Sequence, residues 1–335
     1  MKRAKVSIVK IKNKQIERAV IDALELSGCM ERIKRGSNVI LKPNLITDNP
    51  DYIKRGANTS TDVIIALLKI LEKKKAKVYI GESEVGTPIS GRKLARTWKY
   101  MNLYKIADKY NADLLNFSND RKINVKVNGL FFKNLEISKT AYESDLIINI
   151  PKIKTHKYAT LTCSMKNMFG AIPEPRRVIY HRKLHKAIAD INKVFNNKII
   201  SVVDGTIGME GNGPLYGTPV RLNLILASDD QVALDTVVCK IIGLDYEKIK
   251  YIKYGYLLGL GSWDNINVVG ENISSVKRDF KKVRFNLYRV FENAVMKSPL
   301  VYVVVTPAFQ KYVTRYLRPI TRRLRGGSFT WYIEK

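Results

Sequence analysis

Apolar positions along the first 275 residues recur in two alternating rhythms, and that alternation sets the expected fold. Residues 6–11 alternate polar with apolar and read as a strand. Residues 15–26 place Ile16, Ala19, Val20, Ala23 and Leu24 at helical spacing and stop at Gly28, a residue suited to the left-handed dihedrals of a helix end. The pair then repeats. An apolar strand over 37–42 ends in Lys42-Pro43-Asn44, and after a polar loop over 48–61, Thr61 and Asp62 cap a helix over 63–71. A strand over 76–80 runs into Gly81-Glu82-Ser83-Glu84-Val85-Gly86, an acidic lead-in to a helix around 94–110. Residues 114–116 and 123–132 read as less regular strands or a hairpin. Further on, the rhythm predicts an apolar strand over 146–150 and a helix over 158–172 with Leu161, Met165, Met168 and Ile172 on one stripe. An amphipathic helix over 181–195 and a strand over 199–203 ending in Asp204 follow. A glycine-rich loop spans 205–217. Last come a buried strand over 222–227 and a helix over 232–242, capped by Ser228-Asp229-Asp230 and closed at Gly243. Strands alternating with helices in this way predict an α/β domain, its mostly parallel sheet flanked by helices.

Near residue 276 the pattern changes to lysine and arginine with scattered aromatics, so the chain divides into an α/β core over 1–275 and a basic, partly helical C-terminal extension over 276–335. Charge sharpens that division. Lys and Arg number 59 against 30 Asp and Glu, a formal charge of +29, and such an excess favours anionic partners. In the extension, Tyr312, Tyr316, Phe329, Trp331 and Tyr332 are interleaved with arginines. That combination suits nucleic acid, through stacking and phosphate contact, or an acidic membrane surface.

Cys29, Cys163 and Cys239 lie far apart with no C-x-x-C pair, which argues against a disulfide framework, a zinc site of usual spacing or an iron–sulfur motif. The N-terminal residues turn charged again too soon for a signal peptide, and no apolar run approaches the ~20 residues of a membrane helix. The expected location is the cytoplasm, with peripheral membrane attachment through the extension as the alternative.

Candidate chemistry gathers where the predicted strands end. Lys42 and Asn44, Glu82 and Ser83, then Lys152, Lys154 and His156, then Asp204 all follow apolar runs, and in open α/β sheets ligands bind beyond the carboxyl ends of the strands. Between Asp145 and Glu174 there is no acidic residue, while Lys166, Arg176, Arg177 and His181 add basic groups. The pattern predicts a cleft for an anionic small molecule or a nucleotide-like cofactor. Lys42, Lys152, Lys154 and Lys166 would contact the anion, and Asn44, Glu82, Ser83, Asn167 and Arg177 complete its lining. His156 or His181 would move the proton, with Asp204 and Glu210 as carboxylate partners over the cleft. His181 and His185 fall one helical turn apart, but no third ligand stands at a recognisable spacing, so no metal site is expected. Asp235, on an otherwise apolar helix face, must find a hydrogen-bonding partner inside the protein.

A family resemblance follows from these motifs taken together. Lys42-Pro-Asn-Leu45, Gly81-Glu-Ser83, Asn149-Ile-Pro-Lys152-Ile-Lys154-Thr-His156, Met165-Lys-Asn-Met-Phe-Gly170, Asp204-Gly205, Glu210-Gly-Asn-Gly-Pro214 and Ala233-Leu-Asp235 resemble the family called domain of unknown function 362, across residues 38–262. The resemblance implies an α/β enzyme whose reaction class stays open between isomerase-like and oxidoreductase-like chemistry. Members with a ferredoxin-type module carry cysteine runs that this chain lacks, so an electron-transfer role does not carry over from them, and a redox reaction here would need a separate redox partner. The family is also distantly similar in architecture to nickel-dependent lactate racemases, whose catalytic residues do not align here.

Overall fold

The alternation resolves into a sheet buried on both faces. The computed structural model describes residues 3–86, 91–283, 294–295, 297–304, 306 and 308–309. The main sheet contains β1 (Ala4–Lys10), β2 (Asn38–Pro43), β3 (Lys77–Glu82), β6 (Ala112–Asn116), β9 (Leu146–Ile150), β10 (Lys152–His156), β11 (Thr160–Thr162), β12 (Ile199–Glu210), β13 (Thr218–Ser228) and β14 (Ile266–Gly270). Two small pairs, β4 (Val85–Gly86) with β5 (Gly91–Arg92) and β7 (Lys122–Lys126) with β8 (Asn134–Ser138), stand apart from it. The order across the main sheet is β14-β1-β13-β12-β9-β2-β3-β6, with β10 beside β12 and β11 beside β10. Six of its nine strand pairings are parallel; β13 runs against both its neighbours, and β11 against β10.

Because most strands are covered on both faces, they read as continuous apolar runs. In β9, Leu146, Ile148 and Ile150 enter one core and Ile147 the other; in β2, Val39 and Leu41 oppose Ile40 in the same way. The first core is closed by α1 (Ile16–Ser27), α3 (Thr61–Lys73), α4 (Leu94–Tyr100) and α5 (Leu103–Lys109), and the short α2 (Pro50–Lys54) precedes α3. The second core is closed by α7 (Ser164–Asn167), α8 (Leu184–Val194), α9 (Gln231–Ile241) and α10 (Lys250–Leu257); α6 (Lys139–Glu143) and α11 (Ile273–Val276) are single turns at its margins. The result is a three-layer α/β/α domain.

Four local expectations are revised. The helix over 94–110 breaks in two at Asn102, which takes a left-handed φ of 57°. The helix over 63–71 starts earlier, with Ser60 accepting the amide of Asp62 as its cap. The stretch 158–172 is not one helix but β11, α7 and a 3-10 turn over Met168–Ala171. Leu161, Met165, Met168 and Ile172 are buried nonetheless, because all of them face the second core. The first half of the glycine-rich loop is strand: β12 runs on to Glu210. Gly205 fits there because a Cβ would meet the Leu224 carbonyl oxygen at 2.8 Å, and Gly208 because one would meet the Phe280 ring at the same distance.

Packing continues past residue 276. The amides of Arg278 and Phe280 bond the carbonyls of Ile241 and Ile242, Phe280 is buried, and the Lys281 carbonyl accepts from Gly211. The helix Leu300–Val304 inserts Val301 against Tyr158, Val178 and Ile179. The aromatic–arginine stretch from Tyr312 to Tyr332 lies outside the described residues.

Candidate functional site

Strand order places the site. Strands β2, β3 and β6 follow one another outward, and the chain then returns to lay β9 on the other side of β2. Such a reversal opens a crevice at the carboxyl ends of the two flanking strands. From that edge β2 delivers Lys42 and Asn44, β3 delivers Glu82 and Ser83, and β9 turns at Pro151 into β10, which carries Lys152, Lys154 and His156 on alternate positions of one face. All seven side chains are buried.

Buried ammonium groups need partners. Lys42 Nζ donates to Glu82 Oε2 at 3.0 Å, and Glu82 Oε1 accepts the Ser83 amide at 2.9 Å. Lys152 Nζ lies 2.9 Å from Asp204 Oδ2. Asp204 sits where the register of β12 shifts against both β10 and β13, and this irregularity turns its carboxylate toward three further donors: the Ser60 amide, the Thr206 amide and the Thr206 hydroxyl. Burial pushes the Asp204 carboxyl up, but Lys152 and these hydrogen bonds more than offset it, leaving it below the usual carboxylate range. Lys154 is held differently. Its Nζ donates to Asn44 Oδ1 at 2.7 Å and to the Ala57 carbonyl, both neutral, and burial beside Lys152 and Lys166 pulls its pKa well below the ordinary lysine value.

The facing wall is α7 and the turns after it. Helix α7 is a single turn and would not hold itself. Asp235, from α9, accepts the Ser164 amide at 2.7 Å and the Met165 amide at 3.1 Å, which supplies the partner its burial demanded and caps the turn. Asn149 donates to the Ser164 carbonyl. Asn167 donates to Asn149 Oδ1 and the Lys42 carbonyl while accepting from Asn44 Nδ2. This amide chain ties the wall to the strand ends. Gly170 lies directly on the Lys42–Glu82 pair, where a Cβ would come within 2.5 Å of Glu82 Oε1.

Thus positioned, Lys166 is partly buried, its Nζ 4.7 Å from the centre of the Phe169 ring. No carboxylate and no hydrogen-bond acceptor among the described residues bonds to that amine. Burial, then the neighbouring Arg177 and Lys42, pulls its pKa down to about 7, with Glu82 opposing weakly. Arg177, on the 3-10 helix Arg177–Lys183, donates to the Glu84 carbonyl at 2.6 Å and so joins this wall to the loop after β3.

The polar residues at the strand ends and the turn that faces them all fall within one family match. Residues 39–240 match the family described as Domain of unknown function (DUF362). The chain belongs to that family. A thylakoid-associated protein of Synechocystis sp. is 31% identical over 245 residues, covering 70% of this chain and 72% of the relative. Among solved structures, the DUF362 chain is similar to the lactate racemase apoprotein from Thermoanaerobacterium thermosaccharolyticum, with 17% identity, a TM-score of 0.43 and coverage of 69% of this chain and 55% of that one. It is also similar to a Thermotoga maritima protein, with 11% identity, a TM-score of 0.38 and coverage of 75% and 59%. The chain spans less than two thirds of the length of either structure.

In this DUF362 chain the histidines divide. His156 Nδ1 accepts the amides of Tyr158 and Ala159, so the neutral ring carries its hydrogen on Nε2. His181 Nδ1 lies 3.0 Å from the Val178 carbonyl and must donate to it, which leaves Nε2 as a lone pair. Their rings flank Tyr158, at 6.0 and 5.4 Å. Burial first, then the Lys166 charge, lowers both; His181 falls to about 3 and His156 well below its usual value. His185 stacks on Tyr251 at 5.9 Å instead. Among the described residues no group of three or more His, Cys, Asp or Glu could hold a metal ion.

Glu210 does not join Asp204. With β12 continuous, six residue steps along the strand place them about 20 Å apart, and Glu210 accepts the Lys281 amide at 2.9 Å, with the Lys281 ammonium 3.7 Å away. Two features of the site had no distinct signal in the sequence: the Phe169 ring under Lys166, and the pairing of Lys42 with Glu82.

Proposed function

We propose that this protein is an enzyme that binds a small anionic molecule, bearing phosphate or carboxylate, in the crevice between the strand ends and the α7 turn. One observation carries the reading. The buried carboxylates Glu82 and Asp204 are already paired with Lys42 and Lys152, while Lys154 and Lys166 have no carboxylate within bonding distance among the described residues and feel those two only from beyond it. A bound anion supplies the missing charge, and by the same token raises the proton affinity of Lys166, His156 and His181. His156 presents an N–H and His181 a lone pair, which suits donation to one ligand atom and withdrawal from another. The test is calorimetric titration of inorganic pyrophosphate, inorganic phosphate and citrate near pH 7.5, in buffers of different ionisation heat. Saturable binding with proton uptake, reduced at least ten-fold in affinity by Lys166→Met, is the expected result; no saturable heat from any of the three sinks the reading.

A second reading concerns location. Peripheral attachment to an acidic membrane surface through residues 276–335 is supported by the thylakoid-associated relative and by the charge of that region. Leu300, Tyr302 and Val303 are exposed apolar side chains at its start. No helix among the described residues is long and apolar enough to cross a membrane. Co-sedimentation of the full chain with vesicles containing anionic lipid, but not with neutral ones, is expected. Retention of nucleic acid instead, released steeply by salt, would favour the nucleic-acid reading of the same region.

A further inference from the structure

We infer that Lys166 is a covalent anchor, its amine condensing with the carbonyl carbon of an anionic aldehyde or keto acid; this rests on the anion-binding reading above and narrows its substrate class. The argument begins with what an anion-binding lysine needs. A lysine that only binds phosphate or carboxylate works as a full positive charge and is commonly steadied by an acceptor or a carboxylate. Lys166 has neither. The charged and titratable groups facing it are Arg177 from the 3-10 helix, Lys42 from β2, Glu82 from β3, Lys154 and His156 from β10, with His181 and His185 beyond. Only Glu82 among them is acidic, and it is engaged with Lys42. The cluster therefore suppresses charge on the amine and, with the same cations, attracts an anion to its side. The Phe169 ring, 4.7 Å from Nζ, provides an apolar floor that excludes water and afterwards stabilises a cationic iminium over its face. Lys166 as a residue is only partly buried.

The step balances without any further reactant. The Nζ lone pair attacks the carbonyl carbon and the C–O π pair moves to oxygen, which takes the proton that nitrogen gives up. The resulting carbinolamine expels its hydroxyl as water after receiving one more proton. In sum, amine, carbonyl and one proton give iminium and water. His156, whose Nε2 carries hydrogen, can donate a hydrogen bond to the leaving hydroxyl, and the additional proton comes from solvent.

The probe is glyoxylate, a small anionic aldehyde, trapped with cyanoborohydride and followed by peptide mapping of the full chain across a pH series. Lys166 is expected to be alkylated roughly ten- to hundred-fold faster at neutral pH than the exposed Lys248, because its amine is half neutral at about pH 7. Its rate should level off above that pH, while surface lysines keep rising. Lys166→Arg should abolish the fast adduct, and inorganic phosphate should slow it. Modification of Lys166 no faster than of Lys248 would overturn the assignment. If phosphate still binds in that case, the anion site stands and only the nucleophile falls; if Lys166 is fast but no anion binds or protects, the anion reading is the part that fails.

Discussion

Lys152 and Lys166 belong to one cluster but live under opposite rules. Lys152 stands on a strand, fully enclosed, 2.9 Å from a carboxylate that three other donors hold in place. Lys166 stands on a single helical turn, partly open, with an aromatic ring and other cations around it. On the strands, Lys42 and Lys152 are matched by carboxylates; Lys154, on the strand beside them, and Lys166, on α7, are not. A buried charge with its partner is scaffold, whereas a charge surrounded by like charge is the kind of group that the proposed anion would complete. The amide chain through Asn44, Asn167 and Asn149 allows both to coexist, since it locks the incomplete wall onto the complete one.

The most damaging way to break this contrast is to give Lys152 the condition of Lys166. Asp204→Ala leaves a fully buried ammonium unpaired and should cost about 3–5 kcal/mol in urea unfolding. Replacing the pair together, by Lys152→Met with Asp204→Leu, should recover most of that loss. Next in size, Asp235→Ala removes the acceptor for two buried amides of α7, worth about 1–3 kcal/mol. It should also slow glyoxylate capture at Lys166, a readout that a purely global destabilisation at native conditions would not move.

Lys166→Met should go the other way. The folded pKa of about 7 lies below the unfolded lysine value, so the folded state binds fewer protons between about pH 7 and 10, and stability rises with pH across that window. The charge is most costly below pH 7, where the variant should gain about 2 kcal/mol, a gain that fades toward pH 10. The smallest effect concerns acid. His181 titrates near 3 when folded and near 6.5 when unfolded, so the unfolded chain takes the proton first and stability falls as pH drops through that interval. His181→Gln should flatten the fall by about 1 kcal/mol, measured by denaturation at a series of pH values. His185, at about 4, supplies a similar slope that remains.

Much of this was legible in the residues, and what was not has a physical reason. Continuous apolar runs such as Leu146–Ile150 announced buried strands, and the polar residues at their ends gather, buried, at one edge of the sheet. The stripe from Leu161 to Ile172 was legible as buried but not as three elements. Burial is a property of side chains, whereas the helix was broken by pairing: β11 turns back on β10 just before it, and Asp235, remote in sequence, caps α7. Glu210 was placed over the cleft because glycines suggested a loop. In β12 they instead accommodate a neighbouring strand's backbone and the Phe280 ring, and that requirement arises only once the fold exists. The Lys42–Glu82 pair joins the ends of adjacent parallel strands, a relation fixed by register and not by local pattern.

The docking of residues 277–281 and of Val301 bears on how the protein can be taken apart. The most basic segment is riveted to the domain at its root, beside Glu210, and again where Val301 meets the 3-10 helix that carries Arg177 and His181. Truncation near residue 276 would therefore strip a supporting strut from the wall of the crevice along with any affinity for a surface. Conversely, a load applied to the segment, by whatever it grips, would be felt at His181. The roles proposed for the segment and for the crevice therefore cannot be separated by simple amputation.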